Sequence, residues 1–254
     1  MEQQVTRDDI AVHTIGEVLD SAREYVQKQV AAFLRRVPDT VASARVKLTA
    51  FTRSNAPWPA LAQANLTVAG RPIRAQVAAT FFPEAGRLLR TRLKEQAARL
   101  AHPEAPRPWP GSAGDRPHPD PRTRAGRREI VRRKAYELIR CRPDEAALTM
   151  DVMDFDFHLF IDAETGCDSM LSRVGPTGYR LTRLVGMRPP MPPVAVPLTI
   201  DVYPVPDLTP EGAMERLEET ELPFRFFRDT RTGRGSVLYR RYDGNYALIT
   251  SAAQ

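Results

Sequence analysis

A row of basic side chains near residue 90 is the clearest indication of chemistry in this chain of 254 residues. Arg87, Arg90 and Lys94 recur at helical spacing, so a helix places them on one side, opposite its apolar positions. No acidic residue is interleaved among them. Such a row favours binding of a polyanion, and it is equally compatible with an ordinary solvated helix face.

Further cations lie earlier in the chain, where Lys28 and Arg35 face away from the apolar side of another helical segment. Arg45 and Lys47 alternate along a predicted strand and could equally be solvated. Residues 1–100 carry 15 Lys and Arg against nine Asp and Glu, whereas the balance is eight against ten in 129–184. A polyanionic partner should therefore meet the N-terminal part of the chain.

Patterns for catalysis are absent from the sequence. The four histidines are scattered, with two in a proline-rich segment and two in separate modules. Neither a Gly-rich phosphate loop nor a Ser-centred nucleophile elbow occurs. We therefore expect a protein that is not an enzyme and that uses no cofactor.

Metal binding is not expected either. Asp154, Asp156 and His158 alternate along a predicted strand and could hold a cation, but the simpler interpretation is a solvated sheet face beside inward-pointing phenylalanines. Cys141 and Cys167 lack the paired spacing of zinc ligands and are interpreted as reduced thiols.

Two proline-rich segments divide the chain. Residues 101–128 contain seven prolines and residues 186–197 contain five, which is typical of extended linkers. The predicted modules are therefore 1–100, 129–185 and 198–254. Since no apolar run reaches membrane-spanning length and the N-terminus has no signal-peptide pattern, we expect a cytoplasmic protein.

The first module reads as strand, helix, three strands and helix. Alternation predicts strands at Ile10–Ile15 and Ala44–Arg53, and a hairpin around Gly70 joins strands at Asn65–Ala69 and Ile73–Ala79. Apolar periodicity predicts one helix over 18–36 and another that begins near Pro83.

The C-terminal half contains an internal repeat. Residues 155–183 and 222–250 align without a gap, with ten identities in 29 positions. Each copy reads as a strand, a short helix opened by proline, a hairpin and a further strand. Asp162 and Asp229, followed by Gly166 and Gly233, are predicted to shape matching turns.

A module of this size buries too little surface to be stable alone, so we expect the two copies to pair within the chain as a pseudo-dimer. The short linker would hold them at an effective concentration on the order of millimolar. The candidate pairing residues are the large apolar ones of both copies: Phe157, Phe160, Leu171, Phe224, Phe227, Leu238, Tyr239 and Tyr246.

The run DTRTGRGSVLYRRYDGNYALI at 229–249 resembles the C-terminal domain of long-form ribosome hibernation promoting factors, the S30AE or sigma-54 modulation family. The order of elements in the first module is similar to the ribosome-binding domain of that family. The resemblance covers nearly the whole chain apart from the linkers. The presence of two C-terminal copies resembles an actinobacterial variant that is linked to dormancy and low oxygen.

The resemblance implies an α+β fold, in which a β-α-β-β-β-α domain akin to double-stranded-RNA-binding domains precedes two small α/β repeats. It also implies binding in the decoding region of the small ribosomal subunit, where the protein would block mRNA and tRNA and silence translation under stress. The implied partners are 16S rRNA and ribosomal proteins. The implied rRNA contacts are Arg87, Arg90, Lys94, Lys28, Arg35, Arg45 and Lys47.

The usual long form has one C-terminal domain, which pairs with a copy on another ribosome. Because this chain has two copies, intrachain pairing predicts action on single 70S ribosomes. The alternative is a regulatory module that binds RNA or protein, with the repeats docking a partner such as a sigma factor.

Overall fold

The computed structural model describes residues 9–51, 58–103, 128–175, 178–185, 188–191, 194–220 and 222–252. Most of the predicted linker 101–128 lies outside the described residues. The chain divides into two compact units, one of Met1–Pro117 with Asp151–Phe155, and one of His118–Met150 with Asp156–Gln254. The described ranges contain four helices and three sheets, which confirms the α+β class.

The first unit has the predicted order of elements. Its four-stranded sheet runs β1-β2-β3-β4, in which β1 is parallel to β2 and the other neighbours are antiparallel. The elements are β1 (Ala11–Ile15), α1 (Asp20–Leu34), β2 (Val41–Ala50), β3 (Ala60–Val68), β4 (Arg71–Ala79) and α2 (Phe82–Ala101).

Alternation along the strands turns one face of this sheet toward the core, where α1 and α2 pack. The fully buried strand residues on that face include Val46, Leu48, Ala62, Ala64 and Ala75. The two helices approach closely at Gly86, where an added Cβ would lie 3.2 Å from the Val26 Cγ2 atom. The absence of a side chain at residue 86 therefore sets the spacing of the helix pair.

Asp154 lies in the first unit and differs from its predicted place on a solvated strand face. Its side chain is 1% exposed, and its backbone has a φ of 51°. The carboxylate accepts hydrogen bonds from the Gln76 backbone amide at 2.9 Å and from Arg92 Nη2 at 2.9 Å. A buried carboxylate needs such partners, and local alternation could not show them.

The second unit contains both repeats, in two five-stranded sheets of order β10-β9-β8-β7-β6 and β11-β12-β13-β14-β5. The elements up to the second linker are β5 (Ile130–Tyr136), β6 (Arg140–Cys141), α3 (Pro143–Val152), β7 (Phe157–Asp162), β8 (Asp168–Val174) and β9 (Gly178–Arg183). The later ones are β10 (Leu198–Ile200), β11 (Asp207–Leu208), α4 (Pro210–Glu218), β12 (Phe224–Asp229), β13 (Gly235–Arg240) and β14 (Tyr246–Ser251).

The two sheets exchange their edge strands. β5 precedes the first repeat but pairs in parallel with β14 of the second repeat, and β10 precedes the second repeat but pairs in parallel with β9 of the first. The exchange is reciprocal, because β5 and β10 occupy equivalent positions in the two repeats when these are aligned at their offset of 67 residues. The modules predicted at 129–185 and 198–254 therefore each complete their sheet with a strand from the other.

The central strand of each sheet of the second unit, β8 in one and β13 in the other, is buried on both faces. In the second repeat one face packs on α4 through a cluster of Ala213, Leu217, Phe227, Leu238, Tyr246 and Leu248. The opposite face joins the first repeat through Leu159, Met170, Phe226 and Val237, which form one buried cluster. These central strands therefore have no solvated face, whereas β5 at the edge of the second sheet is largely exposed.

The matching turns have the predicted geometry. The Asp162 carboxylate accepts a hydrogen bond from the Glu164 amide at 3.0 Å, and that of Asp229 accepts one from the Arg231 amide at 2.9 Å. Gly166 and Gly233 have φ values of 69° and 67°, which glycine adopts without strain. The turn roles predicted from the Asp and Gly spacing are therefore confirmed.

His158 does not lie on a wet sheet face. It shares a face of β7 with the fully buried Phe160, and the two rings stack with centroids 6.1 Å apart. Burial lowers the pKa of His158 to about 4. Among the described residues, no group of three or more His, Cys, Asp or Glu side chains is placed to hold a metal ion, and no helix is long and apolar enough to span a membrane.

Candidate nucleic-acid interface

Helix α2 carries the principal row of cations. Arg87 and Lys94 are exposed and Arg90 is half-buried, on the side of the helix that faces away from the buried Leu89 and Leu93. The Nε atom of Arg90 is buried without a hydrogen-bond partner among the described residues. The row therefore holds two freely extending cations and one whose stem is packed against the fold.

Helix α1 contributes a second pair on the same side of the sheet. Lys28 and Arg35 are both exposed and are seven residues apart, so they share one side of the helix. The buried positions of α1, including Val26, Val30 and Phe33, point the opposite way. Packing of α1 against α2 thus brings two basic helix faces into one layer.

The strand cations lie on the other side of the first unit. Arg45 is exposed and Lys47 is half-buried, and both alternate with Val46 and Leu48, which point toward the helices. Alternation places Arg45 and Lys47 on the open face of the sheet. A single flat phosphate backbone can meet the helix cations or the strand cations, but not both sets together.

Three other arginines of the first unit are already paired with acidic or carbonyl groups. Arg92 forms ion pairs with Asp154 at 2.9 Å and with Glu95 at 3.1 Å. Arg74 donates to the Asp154 carbonyl at 3.2 Å, and Arg99 lies 4.0 Å from Asp151. These contacts separate the structural arginines from the candidate phosphate-binding row, a distinction that helical spacing alone does not make.

The chemistry available to the helix layer is charge-assisted binding of phosphate groups. Arginine offers a planar fork of donors and lysine a point charge, and neither selects a base when it contacts only the backbone. The layer suits a structured RNA surface with phosphates spaced along it.

Three of the predicted pairing residues do meet across the repeats. The Phe157 ring lies 4.9 Å from that of Phe224 and 5.6 Å from that of Tyr239, measured between centroids. Phe157 and Phe224 also pack against the buried cluster that joins the two sheets.

The remaining pairing candidates lie on the opposite faces of their sheets. Phe227, Leu238 and Tyr246 belong to the cluster that packs on α4. Phe160 and Leu171 are their fully buried counterparts in the first repeat. Alternation predicts that these residues are inward, but it cannot tell which of two buried faces meets the other repeat.

Sequence reasoning missed the residues that contact the other repeat at the centre of the unit. They are Leu159, Met170, Phe226 and Val237, each of which is adjacent in sequence to a predicted pairing residue. Asp168 accepts two hydrogen bonds from Arg234, at 2.8 and 2.9 Å. The sequence held no specific signal for these contacts, because most of the aligned positions differ between the copies.

Comparison with known proteins gives three findings. The family described as "Sigma 54 modulation/S30EA ribosomal protein C terminus" matches twice, at residues 125–181 and 200–248. Two relatives named "Dormancy associated translation inhibitor", from the CDC 1551 / Oshkosh and H37Rv strains of Mycobacterium tuberculosis, are 41% identical over 251 residues. The match covers 95% of this chain and 88% of each relative.

The crystal structure of the Thermus thermophilus protein Y N-terminal domain is 22% identical and matches with a TM-score of 0.30. It covers 36% of this chain and 98% of the solved one. The full-length relatives and the twofold domain match are decisive. The chain belongs to the long-form ribosome hibernation promoting factor family of the sigma-54 modulation/S30EA type, with the C-terminal domain present twice.

Proposed function

We propose that this protein silences translation by placing its first unit in the decoding region of the small ribosomal subunit. There the folded domain would block the path of mRNA and tRNA. The observation that carries the proposal is 41% identity, over 95% of the chain, to proteins named as translation inhibitors. Its mechanism is steric exclusion, so it requires binding and no chemical step.

The charge distribution supports a role of the first unit in binding rRNA. The basic excess belongs to residues 1–128, whereas the repeats carry slightly more acidic than basic residues. The layer of α1 and α2 presents Lys28, Arg35, Arg87 and Lys94 to solvent. Contacts of this kind supply affinity for any phosphate backbone, and the shape of the unit must supply the choice of site.

The contacts between the repeats support action on single ribosomes. The apolar face that a lone C-terminal domain would offer to another molecule is covered here by the second copy in the same chain. The exchanged strands β5 and β10 strengthen that association. Because each repeat covers the apolar face of the other, no such face remains to bind a second protein molecule on another ribosome.

The test is charge reversal of the α2 row. The variant Arg87→Glu/Arg90→Glu/Lys94→Glu should lose inhibition of cell-free translation, because three attractive phosphate contacts become repulsive. The double variant Arg87→Glu/Lys94→Glu leaves the half-buried Arg90 in place. It should lose most of the inhibition, although only exposed residues are changed.

The matched control reverses three exposed arginines that lie off the helix row, Arg23, Arg71 and Arg216. It has the same net charge as the triple variant and should inhibit like the unaltered protein. Full inhibition by both α2 variants would remove the row from the site. Co-purification of a transcription factor in place of 16S rRNA would favour the regulatory alternative.

A further inference from the structure

Residues 168 and 235 occupy the same place in the two repeats, because the copies are offset by 67 residues. In the folded unit these counterparts touch each other. The Gly235 amide donates a hydrogen bond to Asp168 Oδ2 at 2.7 Å. When a residue contacts its own counterpart, the approximate two-fold axis that relates the repeats passes between them.

The chemistry at this axis is asymmetric. The first repeat supplies the Asp168 carboxylate, which is 5% exposed, and the second supplies the Gly235 amide and the Arg234 guanidinium. Arg234 Nε and Nη2 lie 2.8 and 2.9 Å from the two carboxylate oxygens, a bidentate geometry. The counterpart of Arg234 is Cys167, which cannot provide this contact.

A symmetric pair of two first repeats would place Asp against Asp at this axis. A Cβ added at Gly235 would lie 2.8 Å from the Asp168 Cβ. This distance is shorter than real contacts allow, and two carboxylates enclosed at this spacing would also repel each other. Steric and electrostatic terms thus act against that pair.

A symmetric pair of two second repeats would place Gly against Gly, which fits sterically. It would leave each Arg234 without the carboxylate that it contacts here, and each Gly235 amide without its acceptor. Loss of charge-assisted hydrogen bonds at a buried position makes this pair weaker than the mixed one.

We propose that Asp168, Arg234 and Gly235 form a pairing code that lets the first repeat accept only a second repeat. The code itself would allow a second repeat from another chain. The short connection between β9 and β10 selects the one in the same chain, because tethering raises its effective concentration. The inference rests on the proposed function, and it names the residues that keep the pairing inside one molecule.

The test moves the code from one repeat to the other in the full-length chain. Gly235→Asp alone places two carboxylates at the axis and should lower the thermal unfolding midpoint of the second unit by about 5 °C or more. The exchange variant Leu159→Phe/Cys167→Arg/Asp168→Gly/Phe226→Leu/Arg234→Cys/Gly235→Asp restores one acid, one glycine and one arginine. It also removes the Phe226 ring, which would lie 2.9 Å from a Cβ at residue 235. Its thermal unfolding midpoint should return most of the way to that of the unaltered protein, and sedimentation velocity should show a monomer.

An exchange variant that is no more stable than Gly235→Asp would overturn the code. Ala195→Asp adds a carboxylate at an exposed residue of the same unit and serves as the charge control. If Gly235→Asp does not yield folded protein, the double-mutant cycle of Asp168→Asn and Arg234→Gln decides. If the two substitutions change the free energy of unfolding by amounts that are not additive, the two side chains are coupled and the code is supported. If the two changes simply add, the code is overturned.

Inhibition of translation measured on the same preparations separates the two proposals. A stable, monomeric exchange variant that fails to inhibit, together with an unaltered protein that also fails, would count against the proposed function and leave the code intact. An inhibitory protein whose exchange variant is not rescued would count against the code alone.

Discussion

Polar residues in the second unit act as structural groups where they are buried between its layers. Asp162 is fully buried and pairs with Arg183, whose Nε lies 2.7 Å from its Oδ2 atom. Arg240, 6% exposed, donates to the Thr220 carbonyl at 2.8 Å and to the Tyr246 hydroxyl at 3.1 Å. The sequence predicted the turn role of Asp162 from its spacing to a glycine. It could not predict the buried pair, because Arg183 lies 21 residues away.

His158 gives the second unit a dependence on pH. Burial holds its folded pKa at about 4 against an ordinary 6.5, so between those values the unfolded chain binds more protons than the folded one. Stability is therefore complete above about pH 6.5 and falls as the pH drops toward 4. We expect a loss of roughly 1–3 kcal/mol over this window, discounted for the half-buried ring.

Chemical denaturation of the full chain at pH 7.0 and pH 4.5 measures the effect. His158→Gln removes the titrating group and should flatten the pH dependence of the unfolding free energy. His13→Gln, at an exposed residue of β1, should leave it as it is. Equal slopes for the two variants would show that His158 is not the group responsible.

Elements with a local signature were predictable, and elements defined by distant partners were not. Helix α1 lies within two residues of its predicted bounds, α2 begins at Phe82 beside the predicted Pro83, and α4 begins at a proline as predicted. β3 begins at Ala60, earlier than predicted, because alanines rarely indicate a strand although Ala60, Ala62 and Ala64 fill the core under the helices. The edge strands β5 and β10 read as parts of their own repeats, since no local pattern encodes which sheet a strand joins.

The hairpin between β3 and β4 offers a stabilising change. Ala69 has a φ of 48°, in the left-handed region, and precedes Gly70 at 73°. Asparagine tolerates that region better and favours two-residue hairpin turns before glycine. Ala69→Asn should raise the stability of the first unit by about 0.5–1 kcal/mol, measured as a higher denaturation midpoint. Ala69→Val should lower it, and the opposite order of the two variants would contradict the turn assignment.

At the scale of the whole molecule the chain keeps its excess of positive charge apart from the faces through which its repeats pack. Net positive charge lies in the first unit and the adjoining linker, and the pairing faces lie in the second. The sequence predicted this division from its charge balance and its repeat. It predicted that the repeats would pair, but not that each sheet would take its edge strand from the other module.

Ribosome binding should be strongly dependent on salt. With about five phosphate contacts, affinity should fall roughly a hundredfold between 50 and 200 mM monovalent salt. Pelleting of the full chain with 70S ribosomes at the two concentrations measures the change. A binding constant that stays the same would exclude the basic helix layer as the main source of affinity.

Ribosomes mixed with the protein should sediment as single particles. The apolar pairing face of each repeat is covered by the other, so no free copy remains to bridge two ribosomes. The variant to compare with the unaltered protein is Gly235→Asp, which is expected to separate the two repeats. It should increase the fraction of ribosomes that sediment as pairs, or it should cause aggregation. A dominant two-ribosome peak with the unaltered protein would disprove intrachain pairing.

The exchange of β5 and β10 also sets the order in which the strands can pair while the protein is being synthesised. β9 can pair as soon as its partner strand, Leu198–Ile200, has been made. β5 has to remain unpaired for longer, because its Lys134 contacts Thr250 of β14, which lies 116 residues later. A strand whose backbone hydrogen-bonding groups stay unpaired for that long can form non-native pairs with strands of other chains. Arg132, Arg133 and Lys134 place three adjacent positive charges on β5. They would discourage the growing chain from pairing with its neighbours on the same message before its own β14 arrives.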